Sequence, residues 1–201
     1  QRLSPVDFIY HLAASGVDQS VVDPTSVVET NVMGTLRMLQ LAQTLEVGRF
    51  IYCGSCFEYG NGTFLSEDTP LPVPESEYVA SKTSGHLLTL TFAKRYGLRV
   101  TSLRPFTVYG PFESPYRLIP YVIVRALDSS NIELTGGRQT RDFVFAEDVA
   151  MAFLAAAVSN SDRESTFNVC TGLETSVRDV VSMIVSLTGG SATPQFGSMA
   201  Y

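Results

Sequence analysis

Apolar residues along the chain follow two rhythms, short unbroken runs and stripes at helical spacing. Asp7-Phe8-Ile9-Tyr10-His11-Leu12 is a short run with little alternation, the pattern of a parallel strand covered by helices on both faces. After Asp23-Pro24-Thr25, the residues Val28, Val32, Leu36, Leu39 and Ala42 recur three or four positions apart, which predicts an amphipathic helix running towards Val47. Arg49 to Cys53 reads as a second strand, and a polar, proline-containing loop runs from Asn61 to Pro74. A helix follows from about Ser76 to Tyr96, with Gly97 as its stop, and then a third strand from Arg99 to Arg104. Strand, helix, strand, helix, strand in that order predicts an α/β fold with a parallel sheet and right-handed crossovers. Beyond Pro111 the rhythm changes. Helices are expected over 119–127, 147–158 and 176–187, with short strands at 132–134 and 167–170 and a turn at Gly136-Gly137.

Composition narrows the class. The chain has 201 residues, 45% hydrophobic and 17% charged, as expected of one globular domain with at most a small appendage. A net charge of -6 argues against nucleic acid or an anionic membrane as partner, while a few placed arginines can still bind a diphosphate. No apolar run is long enough to span a bilayer. The three cysteines, Cys53, Cys56 and Cys170, are an odd count without a dense framework, which points to reduced thiols and a cytoplasmic setting. Cys53 and Cys56 have C-x-x-C spacing but close a strand instead of opening a helix, so neither redox chemistry nor a metal is expected there. The chain opens at Gln1 with no charged-then-apolar leader, and no targeting segment is expected.

Chemistry enters at Tyr78-Val79-Ala80-Ser81-Lys82. Residues four apart share a helix face, so the Lys82 ammonium is expected near the Tyr78 phenol, lowering its pKa from about 10. Such a phenol can take or return the proton of a substrate hydroxyl. The strand before this helix ends in Cys53-Gly54-Ser55-Cys56, small residues at a carboxyl end, where ligands of open α/β sheets bind. Ser55 there could hydrogen-bond the same reacting oxygen.

Six segments in order resemble motifs of the extended short-chain dehydrogenase/reductase family, the NAD-dependent epimerases and dehydratases. They are His11-Leu12-Ala13-Ala14, Asn31-Val32-Met33-Gly34-Thr35, the run Phe50 to Gly60, the pair Tyr78 and Lys82, Leu103 to Pro111, and Arg141 to Val149. The resemblance implies a Rossmann-like doubly wound parallel sheet, with residues 1–111 forming a partial dinucleotide-binding domain. Residues 112–201 would form a small mixed α/β substrate-binding region, with helix 147–158 and strand 167–170 returning to the Rossmann sheet. It implies NAD or NADP as cofactor and a nucleotide sugar as substrate. Ser55 polarises the sugar oxygen, Tyr78 is the acid/base, and Lys82 binds the nicotinamide ribose and tunes Tyr78. Leu12, Ala13, Ala14, Asn31, Cys53, Pro105 and Phe106 would surround the cofactor, and Thr107 and Arg141 the substrate. Arg141 would hold the diphosphate as a bidentate donor; its alternative is a surface ion pair with Asp142 or Glu147. A homodimer is implied as well, with Leu87, Leu88, Leu90, Thr91, Lys94 and Arg95 on one helix face; the alternative is that Leu87 and Leu88 pack on the sheet.

The family's opening strand and glycine-rich turn have no counterpart here. The resemblance therefore implies a longer protein, with two βαβ units, roughly sixty residues, before Gln1 and more substrate region after Tyr201. The family's 4,6-dehydratases carry Asp-Glu directly after the catalytic Ser/Thr, where this chain has Cys56 and Phe57. Glu58 is one position further on, and in an extended strand it would point away from the Phe57 face. Dehydration is therefore not expected. What remains is hydride transfer on a nucleotide sugar, by an epimerase or a reductase. The alternatives are a dehydrogenase acting on a non-nucleotide carbonyl compound and a non-catalytic family member.

Overall fold

The computed structural model describes residues 6–17, 23–160, 163–189 and 192–199. It divides into two compact units, residues 1–106 with 148–169, and residues 107–147 with 170–201.

The first unit is an α/β Rossmann-like arrangement. Its sheet contains β1 (Phe8–His11), β2 (Arg49–Cys53), β3 (Val100–Pro105) and β8 (Glu164–Val169), in the order β1-β2-β3-β8. All three pairings are parallel: Ile9 lies opposite Phe50, Ile51 opposite Thr101, and Leu103 opposite Phe167. β2 and β3 are buried nearly end to end, which is why their sequences lack polar alternation. The crossover from β1 to β2 is α1 (Pro24–Val28), a π-helical turn Glu29–Met33, and α2 (Gly34–Thr44). Asp23 caps it, accepting a hydrogen bond from the Ser26 amide, and Pro24 stands in the first turn, where its missing N–H costs nothing. The crossover from β2 to β3 is α3 (Glu77–Tyr96), capped by the Ser76 hydroxyl at Val79 and ended by Gly97 at φ 76°. Leu39 and Ala42 of α2 and Phe92 and Ala93 of α3 close over Phe50, Tyr52 and Val100 to form the core.

Two segments of this unit differ from expectation. β8 runs three residues earlier than the apolar run 167–170 indicates, because it follows six residues of β3 in register and hydrogen-bonds Glu164, Ser165 and Thr166 into the sheet. Residues Cys56–Tyr59 form a 3₁₀ turn and not a continuation of β2.

The second unit has α4 (Leu118–Leu127) and α6 (Val177–Thr188) packed through Val122, Ala126, Val177 and Val181 on Ile132 and Leu134. Ile132–Leu134 is β5, which pairs in parallel with β10 (Pro194–Phe196). β4 (Thr107–Tyr109) pairs with β7 (Phe143–Phe145), and β6 (Thr140–Arg141) with β9 (Thr175–Ser176). α5 (Ala146–Val158) leads from β7 back to the first unit. No helix among the described residues is long and apolar enough to cross a membrane.

The approach of α3 to β2 rests on Gly85. A Cβ there would lie 2.3 Å from the Tyr52 hydroxyl oxygen and 2.9 Å from the ring carbon that bears it. Replacing Gly85 with Ala gains about 1 kcal/mol in helix propensity but overpacks the contact at a cost of about 1–3 kcal/mol. The overpacking should win, and thermal unfolding of G85A should show a lower Tm. A Tm equal to or above wild type would contradict this packing.

Candidate active site

Tyr78 lies in the first turn of α3 and Lys82 in the second. The start of α3 is tied to the neighbouring crossover by Asn31, which sits in the π-helical turn and is 2% exposed. The Asn31 amide donates to Ser81 Oγ at 2.8 Å and to the Ser15 carbonyl at 2.8 Å, and its oxygen accepts the Ser15 N–H at 2.7 Å. Ser81 in turn donates to the Tyr78 carbonyl at 2.7 Å. Behind this, Thr35 donates to the Asn31 carbonyl and sits 2.9 Å from His11 Nε2. Burial holds His11 below its usual pKa, with the Lys82 charge pushing the same way. Asn31 is thus a tie between the loop after β1 and the start of α3, its side chain committed to protein groups.

Ser55 is buried and caps the 3₁₀ turn. Its hydroxyl accepts the Phe57 N–H at 3.2 Å, and the Glu58 carboxylate accepts the Ser55 N–H at 2.8 Å. Ser55-Cys56-Phe57-Glu58 is a capping box. Glu58 does not point away as a strand residue would; the turn brings it back beneath Ser55. There its other oxygen pairs with Arg104 Nε at 2.9 Å, with both side chains at most 2% exposed. Burial raises the Glu58 pKa, and Arg104 opposes it by charge and hydrogen bond. Gly54 leaves the room for this, since a Cβ there would stand 2.6 Å from Glu58 Oε1. Arg104 also donates to the Tyr59 hydroxyl at 2.8 Å, which donates to Asn168 Oδ1 at 2.7 Å. The Glu58–Arg104 pair was not anticipated from sequence, although the S-x-x-E spacing from Ser55 to Glu58 was available as a signal.

The electrostatics of Tyr78 differ from expectation. Its pKa is not lowered but pushed up to about 12, by burial first and by Cys53, Cys56 and Glu58 in the same sense, while the Ser55 hydroxyl, as hydrogen-bonding neighbour, pulls it down. The Lys82 ammonium donates to the Cys53 carbonyl, at the carboxyl end of β2, and lies 4.9 Å from the Tyr52 ring centroid. Helical spacing places the two residues on one face, but it does not fix where a four-carbon side chain ends. A carbonyl at a strand end is a strong acceptor for a buried ammonium. Burial lowers the Lys82 pKa, with Cys53 and Glu58 opposing.

Around this pair, Leu12, Ala13 and Ala14 are exposed just after the carboxyl end of β1, and Cys53 is half-buried at the end of β2. Pro105 is buried and Phe106 half-buried at the end of β3, with the Phe106 N–H on the Val169 carbonyl. The carboxyl ends of three parallel strands thus present small or apolar side chains beside Ser55, Tyr78 and Lys82. This is the place and composition that suit a dinucleotide in an open α/β sheet. None of Cys53, Cys56 and Cys170 forms a disulfide.

Thr107 and Arg141 belong to the second unit, where they line a cavity of about 260 Å³ together with Tyr109, Arg117, Gln139 and Val177. Among the described residues Arg141 makes no ion pair with Asp142 or Glu147. Asp142 instead accepts from Thr171 and from the Gly172 N–H at 2.7 Å, and the Arg141 guanidinium donates to the Thr140 carbonyl. Phe145 packs against Tyr109 at 5.5 Å between ring centroids.

The NAD dependent epimerase/dehydratase family profile matches residues 1–170. UDP-glucose 4-epimerase of Mycolicibacterium smegmatis is 32% identical, over 94% of this chain and 63% of that protein. dTDP-glucose 4,6-dehydratase of Escherichia coli is 33% identical, over 90% of this chain and 56% of that protein. Among solved structures, UDP-glucuronic acid 4-epimerase from Bacillus cereus, in complex with UDP-glucuronic acid and NAD, superposes with a TM-score of 0.84 at 30% identity, covering 94% of this chain and 62% of that one. The chain therefore spans less than two thirds of the length of these relatives. Its strand order, its site segments and these matches agree: the chain belongs to the NAD dependent epimerase/dehydratase family.

Proposed function

We propose that this chain carries the catalytic part of an enzyme that transfers hydride between NAD or NADP and C4 of a nucleotide-linked sugar, as a 4-epimerase or a 4-ketoreductase. The observation that carries this reading is the grouping of a buried serine hydroxyl, a tyrosine phenol and a lysine ammonium at the carboxyl end of β2. The nicotinamide, when bound, accepts and returns the hydride. Leu12, Ala13, Ala14, Cys53, Pro105, Phe106 and Lys82 would hold it, with Asn31 fixing the loop after β1. Ser55 holds the sugar oxygen by hydrogen bond and Tyr78 exchanges its proton. With a pKa of about 12, Tyr78 holds its proton at neutral pH, so the proton that a 4-ketosugar oxygen would take is in place, on a phenol that burial has made a weaker acid. The reverse step needs the phenol made more acidic, and Lys82, one turn away, is the cation able to do it. In the second unit, Arg141 and Arg117 suit a diphosphate and Thr107 the sugar. The homodimer belongs to the same reading, supported by the exposure of Leu87, Thr91, Lys94 and Arg95 on α3.

Similarity to dTDP-glucose 4,6-dehydratases makes elimination of water the second reading. Against it stand Cys56 and Phe57, neither able to serve as the acid/base pair, and a Glu58 carboxylate bound on both oxygens and shut from solvent.

The test is to incubate the full-length protein with UDP-, GDP- and dTDP-sugars and NAD or NADP, following products by NMR. Inversion at C4, or reduction of a 4-ketosugar with loss of NADPH, is expected; a 4-keto-6-deoxy product would establish the dehydratase instead. Replacing Tyr78 with Phe should lower kcat by about 10²–10⁴-fold, and an unchanged kcat would remove Tyr78 from the chemistry. Replacing Arg141 with Leu should raise KM for the nucleotide sugar by about tenfold or more with a smaller change in kcat, and an unaltered KM would exclude diphosphate contact.

The raised Tyr78 pKa also predicts a pH dependence of stability. The unfolded phenol ionises near its ordinary value of about 10, whereas the folded one holds its proton to about 12. Above pH 10 the folded state binds more protons than the unfolded, so stability falls through the window from about 10 to about 12. Denaturant unfolding of wild type and Y78F across this range should show wild type losing stability relative to the variant. A difference that stays constant with pH would contradict the burial of the phenol.

A further inference from the structure

Among the described residues, the Glu58–Arg104 pair is a salt bridge with both side chains at most 2% exposed, outside the proposed catalytic groups. Burying two charges is costly, and an apolar pair of similar volume often serves stability as well or better. Its placement suggests a different use. Glu58 has one oxygen on Arg104 Nε and the other on the Ser55 N–H, at 2.9 and 2.8 Å. Arg104 is held in turn by the Tyr59 hydroxyl at 2.8 Å, with the guanidinium 4.6 Å from the Tyr59 ring centroid. Tyr59 is fixed by Asn168 of β8, whose N–H donates to Glu67 of the 61–74 loop at 2.7 Å. β3, β8 and that loop thus converge on one carboxylate, and the carboxylate holds one backbone amide. The Ser55 hydroxyl accepts the Phe57 N–H, which leaves its single proton to be donated, with Tyr78 as its hydrogen-bonding neighbour.

We infer that the buried Glu58–Arg104 pair positions Ser55, fixing its backbone so that the hydroxyl proton is directed to the oxygen on which Tyr78 acts. The inference rests on the hydride-transfer reading. Neither residue touches the reacting atoms; both act through Ser55. The demand for precision is steep, since a misplacement of about 1 Å can cost about 10²-fold in rate. Tyr78 interacts with Cys53 of β2 and with Ser55, Cys56 and Glu58 of the turn, so a change at Glu58 reaches both Ser55 and the phenol.

The test uses two variants of the full-length protein. The double variant Glu58→Leu with Arg104→Met removes both charges together, leaving none buried and unpaired. Glu58→Gln alone keeps the shape of the turn but cannot serve both the Ser55 N–H and Arg104 as acceptor. Each is measured for Tm, for kcat and KM separately, and for hydrogen exchange at residues 54–58. The expected result is kcat lower by about 10–10²-fold with KM within a few-fold, a double-variant Tm near wild type, and faster exchange at the Ser55 amide. A double variant that keeps wild-type kcat, or a loss of kcat that only follows a loss of Tm, overturns the inference, and so does unchanged Ser55 exchange in E58Q. If wild type turns over no nucleotide sugar, the hydride-transfer reading fails, and exchange at Ser55 then decides by itself whether the pair anchors that residue.

Discussion

Helix α3 is held to strand β2 by two hydrogen bonds that run in opposite directions. The Tyr52 hydroxyl of β2 donates to the Lys82 carbonyl at 3.0 Å, and the Lys82 ammonium donates back to the Cys53 carbonyl. Gly85, one turn on, lets the two elements approach closely enough for both. This clamp sets the height of the first turn of α3 against the end of β2, and so the placing of Tyr78 relative to Ser55. Asn31 fixes the same turn from the other side through Ser81. A tyrosine at the start of a helix would otherwise be subject to fraying. Here its carbonyl, its neighbours and the strand end are tied together.

The clamp also explains why burial governs the charges. At this depth desolvation outweighs pair interactions for Tyr78, Lys82, His11 and Glu58 alike, raising the acids and lowering the bases. The site favours neutral groups and retains charge only where a partner is in contact, as Arg104 is for Glu58 and the Cys53 carbonyl for Lys82. A phenol in such a place keeps its proton at neutral pH and is a weaker acid than an exposed one. The direction of proton transfer then depends on how much positive charge lies beside it when cofactor and sugar are bound.

Much of this was legible in the sequence because it rests on local pattern. The strands β1, β2 and β3, the long helix from Ser76 to Gly97, and the Tyr78–Lys82 pair all follow from periodicity and caps, although β1 is not covered on both faces as its apolar run predicts: Phe8 and Tyr10 are exposed. β8 was misplaced because half of it, Glu164-Ser165-Thr166, is polar and belongs to the sheet only through its pairing with β3. The strands β4, β6, β7, β9 and β10 are two or three residues long, too short to carry a period. Helical spacing brought Tyr78 and Lys82 onto one face but could not tell that the ammonium would choose the Cys53 carbonyl. Glu58 was read with the two-residue alternation of a strand. The turn that Gly54 and Ser55 start carries it underneath instead, to an Arg104 that lies 46 residues away. That contact depends on tertiary packing and leaves only the S-x-x-E spacing as its local trace.

In the proposed function, hydride moves at C4 alone and the accompanying proton moves through Tyr78, with Ser55 holding the oxygen. Following deuterium placed at C4 of the nucleotide sugar tests it most directly. The account predicts that the label either stays at C4 through inversion or passes to the nicotinamide, with none released to water. Deuterium appearing in the solvent, or on another carbon of the sugar, during turnover would contradict it.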